Sequence, residues 1–374
     1  MQFIDLNAQQ KIIRKKIDKR IQSVLDHGKY IMGPEVYELE ERLADYVGVK
    51  HCITCSSGTD ALLIPLMAKN IGIGDAVITT PFTYIATAEV ISLLGAVPIF
   101  VDVDPVTFNI NANEIEQAIH KAKNKGLCPK AIIAVDLFGL PARYRLIEKI
   151  ASKNNLFLIE DTAQGFGGSI RKKMAGSFGN VGSTSFFPAK PFGCYGDGGA
   201  IFTSDEELAK IMESIRVHGS GLDKYDNVRV GINGRLDTIQ AAILLEKLAI
   251  FDNEITLRNQ VSNYYSENIS SKYKKPYIPR DYISSWAQYS ILAHSSSCRN
   301  HIINSMVKHG TPIMIYYKIP LHLQKVYNSI GYKNGDFPIT EKISKCIFSI
   351  PMHPYLSKKD QDFIIKILNA EYKN

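Results

Sequence analysis

The sequence predicts an α/β protein, with a large domain built around a mostly parallel β-sheet and a smaller α+β domain after it. Between residues 50 and 205, short apolar runs rich in Val, Ile and Phe alternate with amphipathic segments. This alternation is typical of parallel strands that are connected by helices. After residue 270, Tyr, Ser, Lys and Pro become frequent and the apolar runs shorten. We therefore predict a large domain over residues 1–250 and a small C-terminal domain over residues 251–374.

The individual elements follow from the spacing of apolar residues. Residues 11–47 carry apolar side chains every three or four positions, which predicts two helices separated at Gly33 and Pro34. These N-terminal helices are free to pack outside the core of the large domain. Runs of the length of a buried strand predict strands at 76–79, 99–103, 131–137, 156–159, 183–187 and 200–203. Amphipathic stretches predict helices at 87–94, 112–123, 145–153, 236–248 and 255–269.

Composition and charge exclude several classes of protein. The chain has 374 residues, of which 45% are hydrophobic and 22% charged, with a formal net charge of +7. Its basic residues are scattered and never form a run of five or six, so we expect no nucleic-acid partner. The longest apolar run, over residues 90–101, is interrupted by Gly95 and Pro98 and is too short to cross a bilayer. We therefore expect no membrane partner either.

The cysteines argue against a disulfide scaffold, because there are only six in the whole chain. Cys52 and Cys55 form a CxxC motif, but no second CxxC and no paired histidines accompany it. We therefore predict two buried thiols here, with no metal site. The first residues also lack the basic-then-apolar pattern of a signal peptide. Reduced thiols and this N-terminus predict a cytoplasmic protein.

A carboxylate stands at the end of one predicted strand. The run 156–161, Leu-Phe-Leu-Ile-Glu-Asp, places Asp161 directly after a buried strand. Ligands of open α/β sheets bind beyond the carboxyl ends of the strands, so this side chain is aimed at a crevice. A carboxylate there can hold a proton on a pyridine nitrogen, as pyridoxal 5'-phosphate (PLP) requires. The alternative is an ordinary helix cap.

A lysine follows another predicted strand. Lys190 lies between Pro188 and Pro191, ahead of a glycine-rich run that ends at Gly199. Glycines let the backbone approach a ligand closely. A partly buried lysine has a lowered pKa, which favours its reaction with a carbonyl group. The alternative is a lysine in a surface loop.

A small polar turn, Ser56-Ser-Gly-Thr-Asp-Ala-Leu62, leads into an apolar helix. Backbone N–H groups at a helix N-terminus form a phosphate site, although a simple N-cap is the alternative. The turn lacks the lysine of a Walker loop, and the glycine run that begins at Gly165 is not a complete GxGxxG. A dinucleotide or ATP site is therefore disfavoured.

The order of these motifs resembles the DegT/DnrJ/EryC1/StrS family of nucleotide-sugar aminotransferases over nearly the whole chain, from residue 33 to residue 354. The most specific blocks are Ser57-Gly-Thr-Asp-Ala61, Glu160-Asp-Thr-Ala-Gln164, Thr184-Ser-Phe-Phe-Pro-Ala-Lys190, Gly196-Asp-Gly-Gly199 and Gly231-Ile-Asn-Gly-Arg-Leu-Asp237. The resemblance implies the type I PLP fold of aspartate aminotransferase, with PLP as the cofactor.

The resemblance also implies roles around the cofactor ring. Lys190 would bind PLP covalently and move a proton between the amino donor and the cofactor. Asp161 would pair with the pyridinium nitrogen. Gln164 would bond the ring hydroxyl, and Tyr84 would stack on the face of the ring.

The phosphate of the cofactor would be held by residues from two subunits. Gly58, Thr59 and Ser185 would bind it within one chain. Asn233 would reach the phosphate of the neighbouring subunit's cofactor. By this resemblance a homodimer is the minimal active unit.

Lysine at position 190 separates this chain from family dehydratases, which carry histidine there, and so indicates transamination. The implied amino donor is L-glutamate, and the implied acceptor is a keto sugar on a nucleoside diphosphate. Residues 233–244 and 315–324 resemble the branch that acts on 3-keto sugars, which implies a UDP-linked 3-keto hexose or uronate. Arg235, Tyr317 and His322 would then contact the sugar or its carboxylate, for which the fork of an arginine is suited. Packing is the alternative role for each of the three.

Other substrates and one other class remain alternatives at this point. A dTDP-linked 3-keto-6-deoxyhexose or a 4-keto sugar would suit the same family. A non-catalytic regulatory relative would bind PLP or a sugar without turnover, but the complete set of Lys190, Asp161, Gln164 and Ser185 favours an enzyme. Lipopolysaccharide, capsule and a glycosylated small molecule are all open as the destination of the product.

Overall fold

A seven-stranded β-sheet forms the centre of the fold. The computed structural model of the chain describes residues 1–223 and 225–371. The spatial order of the strands is β1 (His51–Cys55), β9 (Gly199–Thr203), β8 (Val181–Ser185), β5 (Phe157–Asp161), β4 (Cys128–Val135), β2 (Asp75–Thr79) and β3 (Val97–Phe100). Strand β9 is antiparallel to both of its neighbours, and the other neighbouring pairs are parallel. The predicted mostly parallel sheet is confirmed, and all six predicted strands overlap strands of this sheet.

Helices cover both faces of the sheet, because successive residues of a strand point to opposite sides. The α-helices of residues 1–216 are α1 (Leu6–His27), α2 (Pro34–Val47), α3 (Gly58–Ala68), α4 (Ala86–Leu93), α5 (Ile115–Asn124), α6 (Tyr144–Lys153) and α7 (Glu206–Arg216). Ile78 and Ile132 pack under α5 and α6, whereas Val77 and Ile133 pack under α3 and α4. The result is a three-layer α/β/α arrangement, and the predicted break at Gly33 and Pro34 is confirmed.

A single helix, α8 (Thr238–Asn268), occupies the region in which two helices were predicted. The predicted interruption between residues 248 and 255 is wrong, because no glycine or proline lies there to end a helix. Asp252 and Asn253 break the apolar pattern but simply face solvent, while Phe251 and Glu254 beside them are buried. Neither α8 nor another helix of the described residues combines the length and apolar content that a membrane crossing needs.

Beyond α8 the chain forms a smaller α+β part. Its elements are β10 (Tyr282–Ile283), β11 (Tyr289–Leu292), α9 (Ser296–Lys308), α10 (Pro338–Cys346), β12 (Ile347–Ile350) and α11 (Lys358–Glu371). Strands β11 and β12 form an antiparallel pair, whereas β10 joins the short strands β6 (Ser169–Ile170) and β7 (Lys173–Met174). Tyr289, Ile302, Phe348 and Ile364 lie in the core of this part.

Helix α8 links the two parts of the molecule. Near its start, Ile243 packs against Ile13 and Ile17 of α1. Near its end, Val261 and Tyr265 belong to the C-terminal core. The boundary at residue 250 falls inside this helix, and the domain ranges 1–250 and 251–374 stay a prediction.

Candidate active site

Three segments meet at the carboxyl edge of the central sheet. Strand β5 ends at Asp161, β8 ends at Ser185, and α3 begins at Gly58 shortly after β1. A Cβ atom on Gly58 would lie 2.5 Å from Ser185 Cβ, so the start of α3 touches the end of β8. Because ligands of open α/β sheets bind at this edge, we place the candidate site here.

Asp161 is a buried carboxylate with two hydrogen-bond donors. Thr87 Oγ1 donates to Asp161 Oδ2 over 2.9 Å, and the Ala163 amide donates to Oδ1 over 3.1 Å. Burial raises the pKa of Asp161, while these two bonds and the Lys190 ammonium act in the opposite direction. The side chain is therefore fixed in orientation at the bottom of the site, where it can pair with a protonated ring nitrogen.

Lys190 lies in a tight turn after β8. Its amide donates to the Phe187 carbonyl over 2.9 Å. Burial lowers the pKa of Lys190, and the carboxylate of Asp161 acts in the opposite direction. A lowered pKa increases the fraction of neutral amine, which is the nucleophilic form. The structure thus brings together the two residues that the sequence placed at the chemical centre.

Gln164 and Tyr317 meet next to Asp161, although they are far apart in the sequence. Gln164 Nε2 donates to Tyr317 Oη over 3.0 Å, and its Oε1 accepts from the Phe138 amide over 2.8 Å. Burial raises the pKa of Tyr317, so its phenol stays neutral. Tyr84 is 57% exposed in the loop after β2 and is close enough to Tyr317 to affect its pKa.

The start of α3 forms a cradle for an anion. Ser57 Oγ caps the helix by accepting from the Asp60 amide over 3.0 Å. The amides of Gly58 and Thr59 at the same end have no acceptor among the described residues. The hydroxyl of Ser185 lies beside them, because a Cβ atom on Gly58 would be only 2.9 Å from Ser185 Oγ. These three predicted phosphate residues are therefore neighbours.

Asn233 and Arg235 lie between α7 and α8. Arg235 Nη2 donates to Asn233 Oδ1 over 2.5 Å. Arg235 Nε is buried without a hydrogen-bond partner in the described part of the chain. The Gly234 carbonyl accepts from the Ser56 amide over 3.0 Å, which ties this segment to the phosphate turn. Asn233 itself is exposed.

The contacts found for the His322 side chain are with Glu341 and Phe337. The imidazole is 1% exposed, its Nε2 lies 3.1 Å from Glu341 Oε1, and its ring packs on Phe337. Burial lowers the pKa of His322, and Glu341 acts in the opposite direction. The segment that carries His322 is linked to the loop after β2, which carries Tyr84, by a hydrogen bond from the Leu321 amide to the Pro81 carbonyl. Of the two roles considered for His322, these contacts favour packing.

Sequence reasoning missed two contributors to the site. Thr87 holds Asp161, and its signal was a buried hydroxyl in the first turn of a mostly apolar helix. Phe138 contributes its backbone amide to Gln164, and it does so at a positive φ of 60°. A backbone contact of this kind leaves no trace in the pattern of side chains.

The CxxC cysteines lie in β1 as free, buried thiols. Burial raises the pKa of both Cys52 and Cys55, which keeps them protonated. Within residues 1–223 and 225–371, no three His, Cys, Asp or Glu side chains are grouped in a way that would hold a metal ion.

The residues at this edge fit PLP. A lysine of lowered pKa and a buried carboxylate stand beside a cradle that has no room for a side chain at Gly58. Lys190 would hold the cofactor, Asp161 its ring nitrogen, and the start of α3 its phosphate. Fold and site together define a PLP-dependent enzyme of fold type I.

Comparison with known proteins gives the family within this class. Residues 11–369 match the DegT/DnrJ/EryC1/StrS aminotransferase family, and the chain belongs to it. The chain is 46% identical over 375 residues, covering 100% of both chains, to UDP-2-acetamido-2-deoxy-3-oxo-D-glucuronate aminotransferase of Pseudomonas aeruginosa. The protein is thus an aminotransferase, as the sequence predicts.

Solved structures agree with this assignment. The fold matches a DegT/DnrJ/EryC1/StrS aminotransferase from Brucella abortus with a TM-score of 0.97 and 50% identity over 100% of both chains. It also matches NtdA from Bacillus subtilis with bound cofactor PMP, with a TM-score of 0.90 and 29% identity over 100% of this chain and 83% of that one. PMP is the aminated form of PLP, and PLP is the cofactor of this family.

Proposed function

We propose that the protein transfers the amino group of L-glutamate to a UDP-linked 3-keto hexose or uronate. The observation that carries this proposal is the full-length 46% identity to an aminotransferase named for a UDP-linked 3-oxo-glucuronate. The convergence of Lys190, Asp161 and Gln164 at one edge of the sheet supports it. The products would be 2-oxoglutarate and an amino sugar.

Two residues carry the chemistry in this proposal. When bound, PLP supplies an electron sink that stabilises negative charge on the α-carbon of the amino donor. Lys190 would hold the cofactor through Nζ, and once the amino group of the donor has displaced that Nζ, the freed amine would take the proton from the α-carbon. Asp161 holds the proton on the ring nitrogen, and Thr87 keeps the carboxylate in place.

The remaining cofactor contacts orient the ring and the phosphate. Gln164, held by the Phe138 amide, would bond the ring hydroxyl. Tyr84 would cover the ring face. Gly58, Thr59 and Ser185 would hold the phosphate; Ser185 also accepts from the Phe187 amide over 3.3 Å.

Two residues are candidates for contacts with the sugar. Arg235 Nε has no acceptor among the described residues, so the guanidinium retains a donor for a carboxylate or another anion. Tyr317 lies at the site, with its hydroxyl on Gln164. His322 is left out of this set because of its buried contact with Glu341.

We propose that the active form is a homodimer, with Asn233 of one protomer completing the phosphate site of its partner. The segment just before Asn233 supports this, because it exposes apolar side chains that water does not favour. Val228 is 53% exposed and Val230 is 84% exposed. Exposed apolar patches of this kind mark interfaces between proteins.

We also propose that the protein works in the cytoplasm. Its free cysteines support this, because thiols stay reduced in that compartment.

A panel of sugar nucleotides tests the proposal. Each protein sample is given L-glutamate and one acceptor, and the amino sugar is detected by mass spectrometry. The panel contains a UDP-linked 3-keto uronate, the neutral UDP-linked 3-keto hexose, a dTDP-linked 3-keto-6-deoxyhexose and a 4-keto sugar. We expect the highest kcat/KM with one of the two UDP-linked 3-keto sugars. A preference for the dTDP-linked or 4-keto acceptor would contradict the proposed substrate.

A further inference from the structure

Lys247 of α8 is a buried cation outside the set of candidate site residues. Its side chain is 1% exposed, and its Nζ donates to the Gly193 carbonyl over 2.5 Å. The same Nζ lies 4.3 Å from the centre of the Tyr195 ring. Burial lowers the pKa of Lys247 to about 8, with the charge of Glu254 acting in the opposite direction. Burying an ammonium group costs free energy, so a lysine in this position indicates a specific structural role for its contacts.

The contact of Lys247 is with the turn that carries Lys190. This turn doubles back on itself, because the Lys190 amide donates to the Phe187 carbonyl and the Cys194 amide donates to the Phe186 carbonyl over 2.7 Å. A Cβ atom on Gly193 would lie 2.5 Å from the Phe187 carbonyl oxygen. Gly193 is therefore packed against the strand end from which the turn departs, and a shift of Gly193 would shift the turn.

A second bond from α8 reaches the same loop. Gln240 Oε1 accepts from the Tyr195 amide over 2.9 Å. The loop after Lys190 is therefore attached to α8 at two places, two helical turns apart. Lys247 supplies the attachment nearer to Lys190, and both lysines line one small cavity.

We propose that Lys247 is a positioning residue, whose ammonium holds the Gly193 carbonyl and thereby fixes the turn that presents Lys190 to the cofactor. The proposal rests on the proposed role of Lys190 as the attachment site. It gives α8 a part in the reaction, although no residue of α8 need touch the cofactor or the substrate.

The test compares four proteins: wild type, Lys247→Met, Lys247→Arg and Val261→Ala. Methionine keeps apolar volume but cannot donate, and arginine keeps a charged donor. Val261 is buried about four helical turns further along α8 and packs in the C-terminal core, whose described members all follow residue 260, so its truncation reports general loosening of α8. PLP is removed with hydroxylamine and added back, and the return of visible absorbance gives its rate of attachment. Borohydride then fixes PLP to its lysine for peptide mapping.

We expect the attachment rate and kcat to fall about tenfold in Lys247→Met, which corresponds to about 1.4 kcal/mol. The KM for glutamate should change little. Lys247→Arg should recover much of both rates, and Val261→Ala should keep both within about twofold while its Tm falls.

Wild-type rates in folded Lys247→Met would overturn the proposal, as would an equal loss in Val261→Ala. If Lys247→Met does not fold, Lys247→Arg is compared with Lys247→Gln, whose amide is too short to reach Gly193. Attachment must then be slower in Lys247→Gln, and equal rates overturn the proposal. Mapping of PLP to a lysine other than Lys190 would instead contradict the proposed function itself, and this inference with it.

Discussion

Single residues at the carboxyl edge of the sheet act through very short contacts. Gly58 lies so near Ser185 that no side chain fits between them. Asp161 is oriented by one hydroxyl and one amide. Changes of one atom at these positions are therefore expected to alter binding of the cofactor or the rate of the reaction.

Gly58→Ala should weaken PLP binding, because the added Cβ would lie 2.5 Å from Ser185 Cβ and push the start of α3 away from β8. We expect the Kd for PLP to rise roughly tenfold or more. Gly72→Ala is a matched control, since its Cβ would meet only the Leu94 carbonyl at 3.6 Å. Titration of the cofactor-free proteins with PLP measures both. Equal affinities in the two variants would show that the cradle does not hold the phosphate.

Thr87→Val should lower kcat, because it removes the hydroxyl that donates to Asp161. We expect a loss of about tenfold, since a hydrogen bond to a charged group contributes about 1.5–3 kcal/mol. Thr83→Val is the control, because Thr83 bonds the Thr87 hydroxyl over 3.0 Å and makes no hydrogen bond to Asp161 among the described residues. Steady-state kinetics should show the smaller loss in Thr83→Val. The reverse order would contradict the role given to Thr87.

The positions of Asp161 and Lys190 could be read from the sequence because each is fixed by the strand before it. Asp161 ends a buried strand and Lys190 follows another, so the geometry of an open sheet is enough to bring them together. Thr87 and Phe138 were not predicted, because their contributions depend on tertiary packing and on a backbone amide. The contact of His322 with Glu341 likewise depends on a loop path that no local pattern specifies.

At the scale of elements, two neighbouring strands carry a buried pair of carboxyl groups below the site. Asp136 follows β4 and accepts from Tyr144 Oη over 2.7 Å, while Glu160 of β5 accepts from the Phe178 amide over 2.8 Å. One oxygen of each, Asp136 Oδ2 and Glu160 Oε1, has no donor in the described part of the chain. Burial raises the pKa of Asp136 to about 7 and that of Glu160 in the same direction.

This pair should make stability depend on pH. An unfolded Asp releases its proton near pH 4, whereas the folded protein keeps the proton on Asp136 up to about pH 7. The folded state therefore binds more protons between these values, and stability should fall as pH rises from about 4 to 7. Asp136→Asn should flatten this slope in urea unfolding at pH 5, 6, 7 and 8. The exposed Asp18→Asn should retain it, and an unchanged slope in Asp136→Asn would contradict the assignment.

Helix α8 shows the limit of pattern reading at this scale. Two helices were predicted because charged and polar residues interrupt the apolar spacing near residue 252. The chain continues as one helix, since its buried side changes partner along its length. Ile243 faces α1, whereas Tyr265 faces the C-terminal core. A change of partner alters the apolar stripe without altering the helix.

For the whole molecule, the central expectation is a homodimer that shares its active sites. Val230→Glu should weaken the dimer at least about tenfold, because a buried charge would replace an apolar contact. Ile73→Glu is the control, since Ile73 is 93% exposed but lies in the turn before β2, away from Asn233. Light scattering over a dilution series and activity measured on the same samples test this. A fully active monomer of Val230→Glu would contradict a shared site.

Six strands of the central sheet were predictable because each is a recognisable apolar run, whereas no bounds were predicted for β1, β11 and β12. The assembly was not predictable from such runs, since an exposed apolar side chain looks the same in a sequence as a buried one. Val230 and Ile53 illustrate this, because both are apolar but only Ile53 is buried.

The most direct test of the account is the reaction of the PLP-loaded protein with L-glutamate alone. The visible absorbance and the 2-oxoglutarate released are followed together, for wild type and for Lys190→Ala. We predict that the visible band disappears and that about one 2-oxoglutarate forms per bound PLP in wild type, with no conversion in Lys190→Ala. A wild-type protein that binds PLP but leaves glutamate unchanged, or a fully active Lys190→Ala, would contradict the account.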